Sequence, residues 1–122
     1  MGSFPFNPDD AFLFESMLKE EDRLIMETAR EYAQSRLEPR ALEGNQQGIF
    51  HMEIPREMGE LGLLGVTIDP KYGGGGASYT AYGLIARELE RVDSAYRSFM
   101  SVQSSLVMFP IEKYGTEEQK RK

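Results

Sequence analysis

Residues 78–101 read SYTAYGLIARELERVDSAYRSFMS, and the order of these side chains decides the fold. Ser78 is a residue type that caps helix N-termini. Behind it Tyr82, Ile85, Ala86, Leu89 and Val92 recur at the three- and four-residue spacing of one helix face. A helix is therefore predicted over Tyr79–Val92. Asp93-Ser94 is a second cap signal directly after it. The chain is expected to turn a corner there and to start another helix, Ala95–Tyr114, kinked at Pro110 and ended by Gly115. Gly83 weakens a helix interior, so it is expected to serve the close approach of a neighbouring helix.

The flanking sequence extends this pattern. Upstream, Leu24, Ile25, Thr28, Ala29, Tyr32, Ala33 and Leu37 mark a helix over Lys19–Leu37, with Glu20, Glu21 and Asp22 in the first turn, where the helix dipole favours acid. Pro39 is expected to break or kink it, one further turn to follow over Arg40–Glu43, and residues 44–48 (GNQQG) to form a loop. Glu53–Leu61 reads as a helix with Gly62 as left-handed cap. Leu63–Pro70 reads as an apolar, extended connection, and Gly73–Gly76 as a loop. At the start, Pro5 and Pro8 mark an extended arm over residues 1–8, and Asp9 or Asp10 can cap a short helix through Leu18. No internal repeat and no strand pattern is found. The reading is all-α, a helical bundle of four to five helices.

The chain has 122 residues, 40% of them hydrophobic, which fits one folded domain with a small core. Its net charge is −6, with both signs interleaved, which speaks against nucleic-acid binding. There is no cysteine, so disulfides and thiolate chemistry are excluded. His51 is the single histidine, read as a surface or turn residue and not as a metal ligand. No apolar run approaches the ~20 residues of a membrane span. No targeting segment is visible, and a cytoplasmic setting is expected. Thr116-Glu117-Glu118-Gln119 has the capping-box pattern, with three residues remaining behind it. The expectation is a piece of a larger protein; a frayed natural terminus is the alternative.

Three stretches could carry chemistry. Glycine-rich loops ahead of helices cradle phosphates, but the run at 73–76 follows no buried strand and lacks the Lys-Ser/Thr of a P-loop, so a flexible or sharply bent connection is the better reading. The charged run Arg87–Asp93 fits a solvated helix face. Arg97 and Ser98 sit in the first turn of a helix whose Ser98, Ser101 and Ser105 share a face. A row of hydroxyls beside a guanidinium suits an oxygen-rich anion, and Arg97 can grip a carboxylate bidentately. Glu90, across the corner, can orient Arg97. The competing reading is that the serines permit tight helix packing and Arg97 is a surface residue.

Residues 57–65 (EMGELGLLG), followed by Pro70-x-Tyr72-Gly73-Gly74-x-Gly76, resemble the amino-terminal domain of the acyl-CoA dehydrogenases. Residues 82–98 (YGLIARELERVDSAYRS) and 100–108 (MSVQSSLVM) resemble most closely the glutaryl-CoA dehydrogenases, enzymes of lysine and tryptophan degradation. The resemblance runs from about Asp9 to Lys122, and places residues 9–122 as a helical domain incomplete at its carboxy end. It implies a complete enzyme with a central β domain and a helical carboxy-terminal domain, one FAD per subunit with most of its site outside this chain, and a homotetramer. It further implies a general base downstream of Lys122, hydride transfer from the acyl β carbon to flavin N5, decarboxylation of glutaconyl-CoA to crotonyl-CoA, and electron-transferring flavoprotein as oxidant. Carried over by position, Arg97 and Ser98 match the residues that hold the free carboxylate of the glutaryl group, Glu90 the acid that organises the arginine, and Ser101 a pocket residue. Phe109 departs from the pattern. No catalytic residue is expected within these 122, and the chain alone is expected to be inactive. The alternatives are a dehydrogenase of monocarboxylic acyl-CoA and a helical interaction module without chemistry.

Overall fold

Side chains that satisfy backbone donors set the helix starts. In the computed structural model, which describes residues 6–8 and 10–122, the Ser78 hydroxyl accepts the N–H of Ala81 at 3.0 Å and opens α4, Tyr79–Glu90. Asp93 Oδ1 accepts the N–H groups of Ala95 and Tyr96 at 2.8 and 2.9 Å and opens α5, Ser94–Ser101. Thr116 and Gln119 form the reciprocal capping box of α7, Glu117–Arg121. The remaining helices are α1, Glu20–Tyr32; α2, Glu38–Gln47; α3, Glu53–Glu60; and α6, Phe109–Tyr114. The described residues contain no strand, and the fold is all-α. Among them no helix is long and apolar enough to cross a membrane.

Five helical runs result among the described residues, because Pro39 makes no break and the helix with Pro110 inside it stays continuous, as expected. Pro39 does not stop the first run: a wide π-helical turn over Ala33–Leu37 joins α1 to α2, with Pro39 in the first turn of α2. Pro110 is met in the same way, with a π-helical stretch over Val102–Met108 ahead of α6. A proline ring clashes with the preceding turn, and widening that turn makes room for it. Residues 44–47, expected in a loop, are helical, and α2 ends on Gly48 at φ 68°. A Cβ on Gly44 would sit 2.5 Å from the Ile49 carbonyl oxygen, so glycine there lets the chain fold back closely over the helix end. At the start of the chain, the predicted helix through Leu18 is only a 3₁₀ turn, Phe14–Met17, whose N–H groups at Phe14 and Glu15 reach the Asp10 carboxylate at 2.7 and 2.9 Å. Asp9 and most of the expected arm lie outside the described residues.

The core lies between α1 and α4, with α3 and α5 closing its sides. Ala29, Tyr32, Ala33, Leu37, Ile54, Met58, Leu63, Ile85, Leu89 and Met100 are buried. Each large apolar side chain there contributes roughly 1.5–3 kcal/mol, more than an exposed ion pair. The inward face of α1 is rotated from the one expected: Asp22 and Met26 are buried, whereas Leu24 and Thr28 are exposed. Leu24, Ile25 and Thr28 line an open groove with Leu61, Leu63 and Val66. Gly62 caps α3 at φ 70°, as expected. Behind it Leu63–Pro70 is a series of turns and not an extended segment.

The glycine run is pinned through its backbone, although Gly73, Gly75 and Gly76 stay exposed. Gly75, Gly76 and Ala77 donate their N–H groups to the carbonyls of Gly65, Ile68 and Val66. A Cβ on Gly74 would lie 2.2 Å from the Ile68 carbonyl oxygen. Glycine is needed because backbone lies against backbone.

The charged run at 87–93 is not a uniformly solvated face. Glu88 is buried, with its side chain 1% exposed. Its carboxylate accepts from Arg87 Nε at 2.9 Å and from Arg30 Nε of α1 at 3.2 Å, and Arg91 lies 3.6 Å away. Arg30 also binds Glu15 at 3.1 Å, tying the 3₁₀ turn to α1. Burial pushes the Glu88 carboxyl up; the hydrogen bonds from Arg30 and Arg87 outweigh it and leave the group below the usual carboxylate range. A second network ties α3 to α1 and α2: Glu57 accepts from Tyr32 at 3.0 Å and from both terminal nitrogens of Arg40 at 3.0 and 2.6 Å. Gly83, expected against a neighbouring helix, is exposed, and a Cβ there would meet nothing within 4 Å.

Two outcomes test this packing by urea unfolding. Gly83→Ala raises stability by about 0.5–1 kcal/mol, since only helix propensity changes, and Gly74→Ala lowers it by more than about 1 kcal/mol. Glu88→Gln leaves three arginines without their carboxylate and costs on the order of 2–4 kcal/mol, discounted because the arginines are a third or more exposed. Because the folded-state carboxyl is held low, its contribution is complete above the ordinary glutamate range and is lost as pH falls through that range and below. The acid-side loss is therefore shallower in Glu88→Gln.

Candidate functional site

The corner between α4 and α5 takes two residues, Val92 and Asp93, after Arg91. Asp93 also accepts a hydrogen bond from Asn45 of α2 at 3.3 Å, which anchors the corner to the neighbouring helix. Glu90 is the last residue of α4, and Arg97 lies in the first turn of α5. The tight corner brings them together: Arg97 Nε donates to Glu90 Oε2. The other carboxylate oxygen, Oε1, accepts from the Ser94 hydroxyl at 2.5 Å. Ser94, and after it Arg97, hold the Glu90 carboxyl below the usual carboxylate range.

Arg97 Nη1 points along α5 toward the Ser101 hydroxyl, at 3.5 Å. One turn further, Ser105 pairs with Tyr82 of α4 at 2.8 Å. These two line a cavity of about 120 Å³ with Thr67, Tyr79, Ser104 and Phe109. The arrangement is a polar seam between α4 and α5, with a guanidinium at one end and hydroxyls along its length. Arg97 is about one-third exposed, 34% of its side chain. With Nε engaged, its terminal Nη1–Nη2 edge is the edge that can meet a planar anion bidentately.

Of the four residues expected from the sequence, the structure brings Glu90, Arg97 and Ser101 together. Ser98 is on the same helix and half-buried, but its hydroxyl makes no hydrogen bond among the described residues. Ser94 and the Tyr82–Ser105 pair were missed. Helical spacing could not have found the Glu90–Ser94 contact, because α4 ends at Glu90 and Asp93 is extended, at φ −156°. The glycine run offers no phosphate cradle: the N–H groups of Gly73, Gly74, Gly75 and Gly76 all go to backbone carbonyls. His51 is only 17% exposed, less than a surface reading implies; its Nδ1 lies 3.2 Å from Glu53 and its backbone N–H donates to Tyr96 Oη.

Comparison with known proteins places this geometry in a family. Residues 19–122 match the family described as acyl-CoA dehydrogenase, N-terminal domain. The chain is 34% identical over 104 residues to the human mitochondrial short-chain specific acyl-CoA dehydrogenase, covering 85% of this chain and 25% of that protein. Among solved structures, a glutaryl-CoA dehydrogenase from Mycobacterium smegmatis in complex with FADH2 superposes with a TM-score of 0.84 at 40% identity, over 89% of this chain and 28% of that one. The butyryl-CoA dehydrogenase of Megasphaera elsdenii gives 0.80 at 31% identity, over 85% of this chain and 28% of that one. The chain thus spans about a quarter of the length of the relatives it matches. The corner of α4 and α5, with its capped helices and its Glu90–Arg97 pair, stands in a chain that belongs to the acyl-CoA dehydrogenase family as an amino-terminal domain.

Proposed function

We propose that this domain reads the far end of a dicarboxylic acyl group, that of glutaryl-CoA, within a flavin-dependent acyl-CoA dehydrogenase. The observation that carries the reading is the Glu90–Arg97 contact across the corner, which orients a guanidinium whose terminal edge carries, among the described residues, one long contact, 3.5 Å from Nη1 to Ser101. A free carboxylate separated from the thioester carbonyl by three methylene groups is a planar anion, and the Arg97 fork matches it in shape and charge. Ser98 and Ser101 flank the arginine and can donate to the same oxygens. The partial positive charge at the α5 N-terminus acts in the same direction.

In this reading the rest of the enzyme supplies the reaction. FAD, when bound, is the two-electron acceptor for α,β-dehydrogenation. The glycine run does not fit its phosphates, since its donors are already engaged, and the family resemblance puts most of the FAD site outside this chain. The general base belongs outside it as well. Electron-transferring flavoprotein as oxidant, a homotetrameric assembly and decarboxylation to crotonyl-CoA belong to the same proposal and rest on the family resemblance. A second reading, a dehydrogenase of monocarboxylic acyl-CoA, draws on the similarity to short-chain and butyryl-CoA enzymes.

Substitution of Arg97 in the full-length enzyme separates the two. Arg97→Ala lowers kcat/KM for glutaryl-CoA by an equivalent of roughly 2–5 kcal/mol relative to butyryl-CoA. Equal losses on both substrates favour the monocarboxylic reading.

A further inference from the structure

Ser94 lies within the stretch that carries the family resemblance, which gives it no role, yet it makes the shortest hydroxyl contact at the corner, 2.5 Å to Glu90 Oε1. Glu90 needs such an anchor. It is exposed, so its side chain is not held by packing, and it is the last residue of α4, where the helix dipole disfavours a carboxylate. A carboxylate with both oxygens free engages a guanidinium side-on, covering Nε and one Nη together. With Oε1 bound to Ser94, Glu90 offers Arg97 a single oxygen, and that oxygen meets Nε. The terminal edge of the guanidinium then carries only the 3.5 Å contact from Nη1 to Ser101 among the described residues, and a ligand can still meet it.

We propose that Ser94 is a positioning residue for the acyl carboxylate: by holding Oε1 of Glu90 it restricts that carboxylate to Arg97 Nε and reserves the Nη1–Nη2 edge for substrate. The inference rests on the glutaryl reading of Arg97. Ser94 touches neither substrate nor cofactor in this scheme and acts through Glu90 alone. Its hydroxyl is separable from the start of α5, because that cap is made by the Asp93 side chain to the N–H groups of Ala95 and Tyr96. The hydrogen bond from Ser94 also helps to keep the Glu90 carboxyl ionised.

The test compares Ser94→Ala, Ser94→Thr and Arg97→Ala in the full-length holoenzyme, with glutaryl-CoA and butyryl-CoA as substrates. In Ser94→Ala the ratio of the glutaryl-CoA KM to the butyryl-CoA KM rises about fivefold, the effect of losing one hydrogen bond to an exposed charged group. Ser94→Thr, which keeps the hydroxyl, returns the ratio to within roughly twofold of the parent. On acidification, the glutaryl-CoA KM of Ser94→Ala begins to rise at a higher pH than that of the parent, because Glu90 without its hydroxyl partner protonates earlier. An unchanged ratio in Ser94→Ala beside a selective loss in Arg97→Ala overturns the role of Ser94 and leaves the glutaryl reading standing. A uniform loss on both substrates that Ser94→Thr does not restore marks Ser94 as structural and also overturns it. Absence of substrate selectivity in Arg97→Ala overturns both.

Discussion

A buried carboxylate must bring its partners with it. Taking Glu88 out of water costs several kcal/mol unless cations and hydrogen bonds replace the solvent. Arg87 and Arg91 come from the same helix, but Arg30 comes from α1, fifty-eight residues away in sequence. That ion cluster fixes how α4 lies along α1, and through Arg30 and Glu15 it holds the 3₁₀ turn as well. Two residues along an α-helix turn a side chain through about 200°. Burying Glu88 therefore directs Glu90 outward, at the end of α4. The core contact and the candidate site are two consequences of one helix orientation.

From that end the geometry propagates through short-range rules. Asp93 caps α5 and ties the corner to α2. The cap places Arg97 one turn into α5, within reach of Glu90. The seam continues through Ser101 to the Tyr82–Ser105 pair, so the polar side of α5 faces α4 while Tyr96 and Met100 fill the core on its other side. A guanidinium about one-third exposed, held at one nitrogen and flanked by hydroxyls, is suited to recognising an anion and unsuited to proton abstraction. The domain accordingly contributes recognition in the proposed scheme, with the reacting atoms handled elsewhere.

The parts legible in the sequence are those governed by neighbours three or four residues apart. Ser78, Asp93, Thr116 and Gly62 do what their positions announced, because a cap depends on local backbone only. Gly44 is helical and its carbonyl accepts the N–H groups of Gly48 and Ile49, a closure of the helix end that a glycine-rich stretch hides in the sequence. The other errors fall where distant atoms decide. Glu88 is buried because Arg30 arrives from α1. The glycine run is pinned because Val66 and Ile68 lie against it. Leu24 and Thr28 fit the helical period, yet the helix is rotated so that Asp22 and Met26 face inward, with Asp22 accepting from the Ser78 hydroxyl at 2.6 Å. At the site, Glu90 and Arg97 were within reach of reasoning across one corner. Ser94 was passed over because serine beside aspartate reads first as a helix cap.

In the proposed function, the Glu90–Arg97 corner presents the terminal guanidinium edge to the free carboxylate of a dicarboxylic acyl-CoA. A crystal structure of the full-length enzyme with glutaryl-CoA, or an unreactive analogue of it, tests this most directly. The account predicts carboxylate oxygens about 2.7–3.2 Å from both Nη1 and Nη2 of Arg97, with Glu90 still on Nε. A carboxylate bound elsewhere, or an Arg97 turned away from the acyl chain, would contradict it.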